Sequence, residues 1–349
     1  MSQTTPPTRQ PGPVCIAGMH RSGTSMITRL MHLSGLSLGP RNDLLAPTED
    51  NPEGYWESRS MMIVNDAILN TFGGGWDFVP EFPADWTTAP ELLGIRTEAS
   101  RLLGAFDGQE SWGWKDPRNS LTSPFWRELV PNLTMLVCLR NPLEVAASLA
   151  KRGYASPQFA LDLWLKYNRS VLANTSSGKR VVTHYESYFA DPEAELRRVC
   201  GLLGIKVTDA ALADALATTN AGLRHSSANL SDLVNSNVPA EVVTTYQRLC
   251  NEAGPVYHKI AARELAALDR PLPAADDEGT SWNQRWRSER LEAIATDLVR
   301  RVNESESSVG QLIGQLTTKE HELARLRLQV SGLEASAQSS RDDDVAGAA

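Results

Sequence analysis

The chain has 349 residues, 41% hydrophobic and 22% charged, with a formal net charge of −8. That length accommodates one large domain plus an appendage, or two modest domains, and the composition is that of a soluble globular protein. The acidic balance argues against a polyanion-binding surface, so nucleic acid is not an expected partner, although a local basic pocket is compatible with it.

Residues 1–13 are rich in Pro, Thr and Gln with no apolar signal core, and are expected to be a disordered lead-in. No stretch reaches membrane-spanning length, and a cytoplasmic location is expected. Cys15, Cys138, Cys200 and Cys250 are scattered without metal-ligand spacing, which reads as buried free thiols and no metal site.

Val14 to Ala17 reads as a buried strand, and Thr24 to Ser34 as a helix stopped by Gly35. Between them Gly18 and Gly23 bracket Met19-His20-Arg21-Ser22, the glycine spacing of a P-loop. Such a turn points backbone N–H groups into one concavity, and the following helix adds its positive end, so a phosphate is favoured there. The nucleoside-triphosphate version of the loop carries Lys-Ser or Lys-Thr after its second Gly. Here Thr24-Ser25 follows, and the cations His20 and Arg21 lie inside the loop.

A polar, turn-rich segment from Pro40 ends in Asn51-Pro52-Glu53-Gly54-Tyr55-Trp56-Glu57, and a helix pattern begins near Ser58. Gly73-Gly74-Gly75 opens an irregular aromatic stretch through Trp86, readable as a flap over a pocket or as a plain connection. A helix is expected from Ala89 to Phe106. Trp112-Gly113-Trp114 then forms a short strand ending in the charged turn Lys115-Asp116-Pro117-Arg118. Leu133 to Leu139 is the clearest buried strand. It ends at Arg140-Asn141, where Pro142 starts a helix through Leu149. Helix from Pro157 to Ala173, strand from Arg180 to Tyr185 and helix from Asp191 to Gly204 follow.

Strands alternating with helices imply an α/β fold, a parallel sheet of P-loop type with helices on both faces. In such sheets ligands bind beyond the carboxyl ends of the strands, where the Gly18 loop, Lys115, Arg140 and Tyr185 all fall. The domain is expected to span 14–270 and to be helical from Ala210, with a linker at 271–281. Over 282–335 the heptad seam Leu291, Ala295, Leu298, Val302, Ser305, Val309, Leu312, Leu316, Lys319, Leu323, Leu326, Val330, Leu333 holds one register. That predicts a coiled coil and a homo-oligomer, the alternative being one amphipathic helix folded back on the domain. Residues 336–349 are expected to be a disordered tail.

Two of these stretches together carry a family resemblance. Gly18-Met-His-Arg-Ser-Gly-Thr-Ser25 resembles the 5′-phosphosulfate loop of sulfotransferases that use 3′-phosphoadenosine 5′-phosphosulfate (PAPS). Leu139-Arg140-Asn141-Pro142-Leu143-Glu144-Val145-Ala146-Ala147-Ser148 resembles their 3′-phosphate motif. His184-Tyr185-Glu186 with Asp191-Pro192-Glu193 and Leu203-Gly204-Ile205 resembles the adenine-side segment and the helix after it. The variant is most similar to bacterial and tyrosylprotein-type members. The resemblance implies that His20, Arg21 and the loop residues Ser22, Gly23, Thr24 and Ser25 hold the 5′-phosphosulfate, Arg140 and Ser148 clamp the 3′-phosphate, and Tyr185 lies by the adenine. It puts Lys115 at the catalytic Lys position, with Pro117 where many members have the basic His. Glu57-Ser58-Arg59 resembles the Glu-Thr-Arg of tyrosylprotein sulfotransferases, which implies Glu57 as the base, with Glu53 or Asp116 as alternatives. A late basic pair, Arg224-His225, could reach the cofactor. The expected reaction is metal-free transfer of a sulfuryl group from PAPS to an acceptor hydroxyl, with PAP as product. The acceptor is guessed to be a glycan, on which Tyr55, Trp56, Trp76 and Trp86 could stack. The alternatives are a P-loop kinase, and a nucleotide-binding scaffold assembled through the coiled coil.

Overall fold

Four short parallel strands form the single sheet among the described residues. The computed structural model describes residues 12–48, 51, 53–151, 156–218, 228–268, 272 and 284–346. In chain order, β1 (Val14–Ala17), α1 (Thr24–Leu33), α2 (Arg59–Thr71) and α3 (Leu93–Leu103) lead to β2 (Gly113–Lys115). Then come α4 (Asn119–Leu129), β3 (Thr134–Leu139), α5 (Pro142–Lys151), α6 (Pro157–Asn174) and β4 (Arg180–His184). The remaining helices are α7 (Ser187–Ala190), α8 (Pro192–Leu203), α9 (Asp209–Ala217), α10 (Leu230–Asn235), α11 (Ala240–Cys250), α12 (Pro255–Ala266) and α13 (Gln284–Ala346). The expected 271–281 linker lies outside the described residues except for Leu272, as do residues 1–11 of the lead-in. Pro13, expected in that lead-in, is buried, and its carbonyl accepts from the Thr134 amide at 3.0 Å.

The sheet order is β2-β1-β3-β4, all parallel, with Ile16 opposite both Lys115 and Leu136, and Leu139 opposite His184. Every strand residue is buried, because helices cover both faces and a strand between them gains from apolar side chains in both directions. Alternation sorts the two cores. Val14, Ile16, Leu136, Cys138 and Val181 face α1, α8 and α9, and Cys15 faces α2, α3 and α4. The chain leaves β1 toward one face through α1, and leaves β2 toward the other through α4.

One element escapes the hydrophobic pattern. Helix α4 buries Asn119, Ser120, Thr122 and Ser123 and contains Pro124, so its sequence reads as a polar turn. On this polar face Asn119, Ser120 and Thr122 each find a partner, while the Ser123 hydroxyl is buried without one among the described residues. Asn65 on α2 is the hub: its Nδ2 donates to Asp116 Oδ2 and Asn119 Oδ1, both at 2.9 Å, while its Oδ1 accepts from Thr122 Oγ1 and Trp126 Nε1. Asn119 in turn donates to the Ile16 carbonyl at 3.1 Å, pinning α4 to β1. Removing the hub strands several buried polar groups at once. Asn65→Ala is therefore expected to lower stability by about 2 kcal/mol, read as a shift in the urea midpoint. An unchanged midpoint would deny the network any structural role.

The chain divides into two compact units, Met1–Leu291 and Glu292–Ala349. Within the second, α13 continues to Ala346, past residue 335 where the coiled-coil pattern stops, so most of the expected disordered tail is helical. Of its described seam residues, Leu298 is half-buried and the apolar ones from Val302 to Val330 are exposed, Leu312 and Leu316 at 59% and 62%.

Candidate active site

The turn after β1 is built for close approach. Gly18 has φ +132°, and a Cβ there would overlap the Cys138 carbonyl. Gly23 has φ +80°, and a Cβ there would overlap the Tyr185 ring. Arg21 also adopts the left-handed region, at φ 71°, a conformation that costs a non-glycine residue about 1 kcal/mol and is found at sites where surrounding contacts enforce it. The contacts here are specific. The Ser22 amide closes the turn onto the Met19 carbonyl at 3.1 Å, and the Gly18 amide donates to Ser120 Oγ at 3.0 Å. The Thr24 and Ser25 amides begin α1, where no helical carbonyl can reach them. Of the expected phosphate donors, the Ser22 N–H is thus engaged within the loop, while the helix-start amides have the orientation that attracts an anion.

The two phosphate motifs meet side by side. Arg21 Nε donates to Ser148 Oγ at 3.0 Å, across 127 residues of sequence, and Arg140 Nη1 donates to the Arg21 carbonyl at 3.2 Å. Arg140 lies over the Tyr185 ring at 4.4 Å, and its Nε donates to Glu144 Oε2 at 2.6 Å. Glu144 was not singled out from sequence, although its position four residues after Arg140 at a helix start is a readable pairing signal. Its Oε1 accepts from the Ala228 amide at 2.9 Å, and Asn141 Nδ2 donates to the Ala228 and Asn229 carbonyls. Arg224-His225, expected as a late basic pair, lies outside the described residues. Beside Tyr185, burial first and then the Arg140 charge push the His184 imidazole down to about 3. The neutral ring stacks on Tyr257 at 3.7 Å and bonds Tyr246 Oη at 2.9 Å.

At the end of β2 the cation and carboxylate come together, in a pairing that differs from the local one. A turn ion pair between Lys115 and Asp116 is the simplest reading of the sequence. Instead Lys115 Nζ donates to Glu57 Oε1 at 2.5 Å, to the Tyr55 carbonyl at 3.1 Å and to Ser25 Oγ at 3.3 Å. Both partners are buried, Lys115 at 2% exposure and Glu57 at 8%. Ser58 caps α2 by accepting from the Met61 amide, which fixes Glu57 just outside the helix. The two alternative carboxylates stand elsewhere. Glu53 is exposed and pairs with Arg29. Asp116 is fully buried between Asn65 and Arg118, and burial, opposed by the Arg118 charge, raises its carboxyl to about 6.

Part of the aromatic stretch read from the sequence packs against the loop. His20 packs against Trp76 at 4.6 Å and edge-on to Tyr167 at 5.9 Å, and Tyr167 Oη donates to the Trp76 carbonyl at 2.6 Å. The ring is partly exposed, yet its Nε2 is buried with no hydrogen-bond partner among the described residues. Burial, then the charges of Arg118, Lys115 and Arg21, hold this imidazole neutral, well below its ordinary pKa. The Gly73–Trp86 stretch is thus anchored over the loop through Trp76. Trp86 is stacked on Phe82 at 4.3 Å within the α2–α3 core, and Trp56 packs against His32.

All four cysteines are free and buried, and burial pushes Cys138 and Cys250 up to about 12. Among the described residues no cluster of His, Cys, Asp and Glu could hold a metal ion, and no helix is long and apolar enough to cross a membrane.

A family model described as "Sulfotransferase family" matches residues 13–209. Among solved structures, the chain is similar to sulfotransferase STF1 from Mycobacterium tuberculosis H37Rv, at 15% identity over 70% of this chain and 78% of that one (TM-score 0.37). It is also similar to the sulfotransferase domain of the Synechococcus PCC 7002 olefin synthase, at 18% identity over 78% of this chain and 100% of that one (TM-score 0.40). A third similar structure is retinol dehydratase in complex with androsterone and inactive cofactor PAP, at 14% identity over 76% of this chain and 84% of that one (TM-score 0.32). No curated protein matches the chain.

Proposed function

We propose how this chain, a member of the sulfotransferase family that transfers a sulfuryl group from PAPS, divides that work among its residues, with a hydroxyl as the acceptor. The supporting observation is the Arg21–Ser148 bond with Arg140 donating to the Arg21 carbonyl, which joins two phosphate-type motifs in one cationic cleft. The glycine-lined turn admits an oxyanion close to backbone amides, and Arg21 adds a planar fork for it. Arg140 and Ser148 clamp the 3′-phosphate, and Tyr185 borders the adenine. His20 completes the loop's contact with the 5′-phosphosulfate side.

Glu57 takes the acceptor's proton as the acceptor oxygen bonds to sulfur and the bond from sulfur to the phosphate oxygen breaks. Lys115 stabilises the negative charge that collects on that departing oxygen, and PAP leaves. The Lys115–Glu57 pair beside Ser25 keeps acid, base and phosphate loop together. A glycan acceptor is part of the proposal: of the aromatic side chains available for stacking on a sugar, Trp76 and Tyr55 adjoin the site. The 14–270 domain carries this chemistry in the cytoplasm, and α13 assembles the chain into a homo-oligomer.

A thermal-shift comparison tests the donor site. A ligand at a hundred times its Kd stabilises by about 2.7 kcal/mol, so PAP is expected to raise the melting temperature well above the effects of AMP and ATP–Mg²⁺. A larger shift with ATP–Mg²⁺ would favour a kinase. No shift with any nucleotide would leave the cleft without a donor.

A further inference from the structure

Along the second unit, α13 carries one continuous apolar stripe. Along α13, position a holds Val302, Val309, Leu316, Leu323 and Val330, and position d holds Ser305, Leu312, Lys319 and Leu326. The apolar members of this seam are between 47% and 62% exposed, and Ile313 beside them at e is 58% exposed. A long helix with one apolar stripe gains its stability from packing that stripe against something.

The flanking charges select the occupant. In a parallel pair of identical chains, each g residue meets the e residue of the partner's next heptad. That sets Glu322 against Arg327 and Gln315 against Glu320, and from the sequence Arg301 against Glu306, with no like-charge meeting among them. An antiparallel pair sets e against e, and Glu292, Glu306, Glu320 and Glu334 all occupy e. Carboxylates would then oppose one another at each end of the overlap. The polar layers set the alignment. In register, Ser305 meets Ser305, and the Lys319 ammonium lies beside Glu320 of the second copy. A slip of one heptad would press Lys319 against Leu312 and Leu326 instead. Val at three of the five a positions, with Leu at two of the four d positions, favours two strands over three.

We propose that α13 is a parallel, in-register, two-stranded coiled coil joining the chain to a second copy of itself. This deepens the homo-oligomer reading and rests on it, but stands apart from the sulfuryl-transfer assignment. The test uses the full-length chain with Leu326→Cys. The four native thiols are buried, so the new thiol is the accessible one. Light scattering at micromolar concentration is expected to give about twice the 38.2 kDa chain mass, and mild oxidation should convert most of the chain to a covalent dimer. The double substitution Leu316→Arg, Leu323→Arg should halve the mass while leaving the PAP melting shift unchanged. A monomeric parent overturns the oligomer and this proposal together. A dimer that does not cross-link overturns the parallel register alone, and a trimer overturns the strand number. A double variant that stays dimeric moves the interface away from α13.

Discussion

Glu57→Gln is expected to lower turnover by about a hundred- to ten-thousandfold while leaving PAP affinity nearly unchanged. The amide keeps the carboxylate's shape and can still accept the Lys115 Nζ hydrogen bond, so the end of β2 and its link to Ser25 hold their geometry. What is lost is the ability to take a proton from the acceptor. Removing the carboxylate also leaves the Lys115 charge uncompensated in a buried position, which acts against any loss of affinity for an anionic nucleotide. Turnover would be followed as PAP release, with an acceptor identified by screening hydroxyl compounds against labelled PAPS. PAP affinity would be followed by calorimetry. Near-normal turnover would remove Glu57 from the mechanism. The neutral His20, whose Nε2 is buried without a partner, would then be the next base to test, ahead of the buried Asp116 and the exposed Glu53.

Arg140→Ala is expected to weaken PAP binding by about 2–3 kcal/mol, the scale of a charge-assisted contact, and AMP binding by much less. The two nucleotides differ by the 3′-phosphate, so the difference between the losses isolates the contact. The substitution also has a structural cost. Arg140 supports the Arg21 carbonyl, covers the Tyr185 ring and neutralises the buried Glu144. That cost falls on both nucleotides alike, and Arg140→Lys separates it further by retaining the charge while losing the planar fork. Equal losses for PAP and AMP, measured by titration, would sink the 3′-phosphate assignment.

The strand-and-helix order of the α/β unit was legible because buried parallel strands are continuous apolar runs, and Val14–Ala17 and Thr134–Leu139 stand out as such. The phosphate loop was legible for a related reason: backbone that must turn left-handed and approach a ligand closely demands glycine, and Gly18 and Gly23 mark it. The heptad of α13 is likewise a local pattern, visible wherever one face repeats. The partnerships were decided only in three dimensions. Nothing local sets Lys115 to pair with Glu57 rather than with adjacent Asp116, since the choice depends on the start of α2 lying beside the end of β2. Nor does composition announce α4, whose buried Asn119 and Thr122 look like part of a surface turn until Asn65 supplies their hydrogen bonds. The Arg21–Ser148 contact and the His20–Trp76 stack belong to the same class. Short-range propensity fixes which segments are strands, helices and turns. Which polar groups end up sharing a buried site depends on the packing of segments distant in the chain, where a polar side chain is tolerated only beside the one partner that satisfies it.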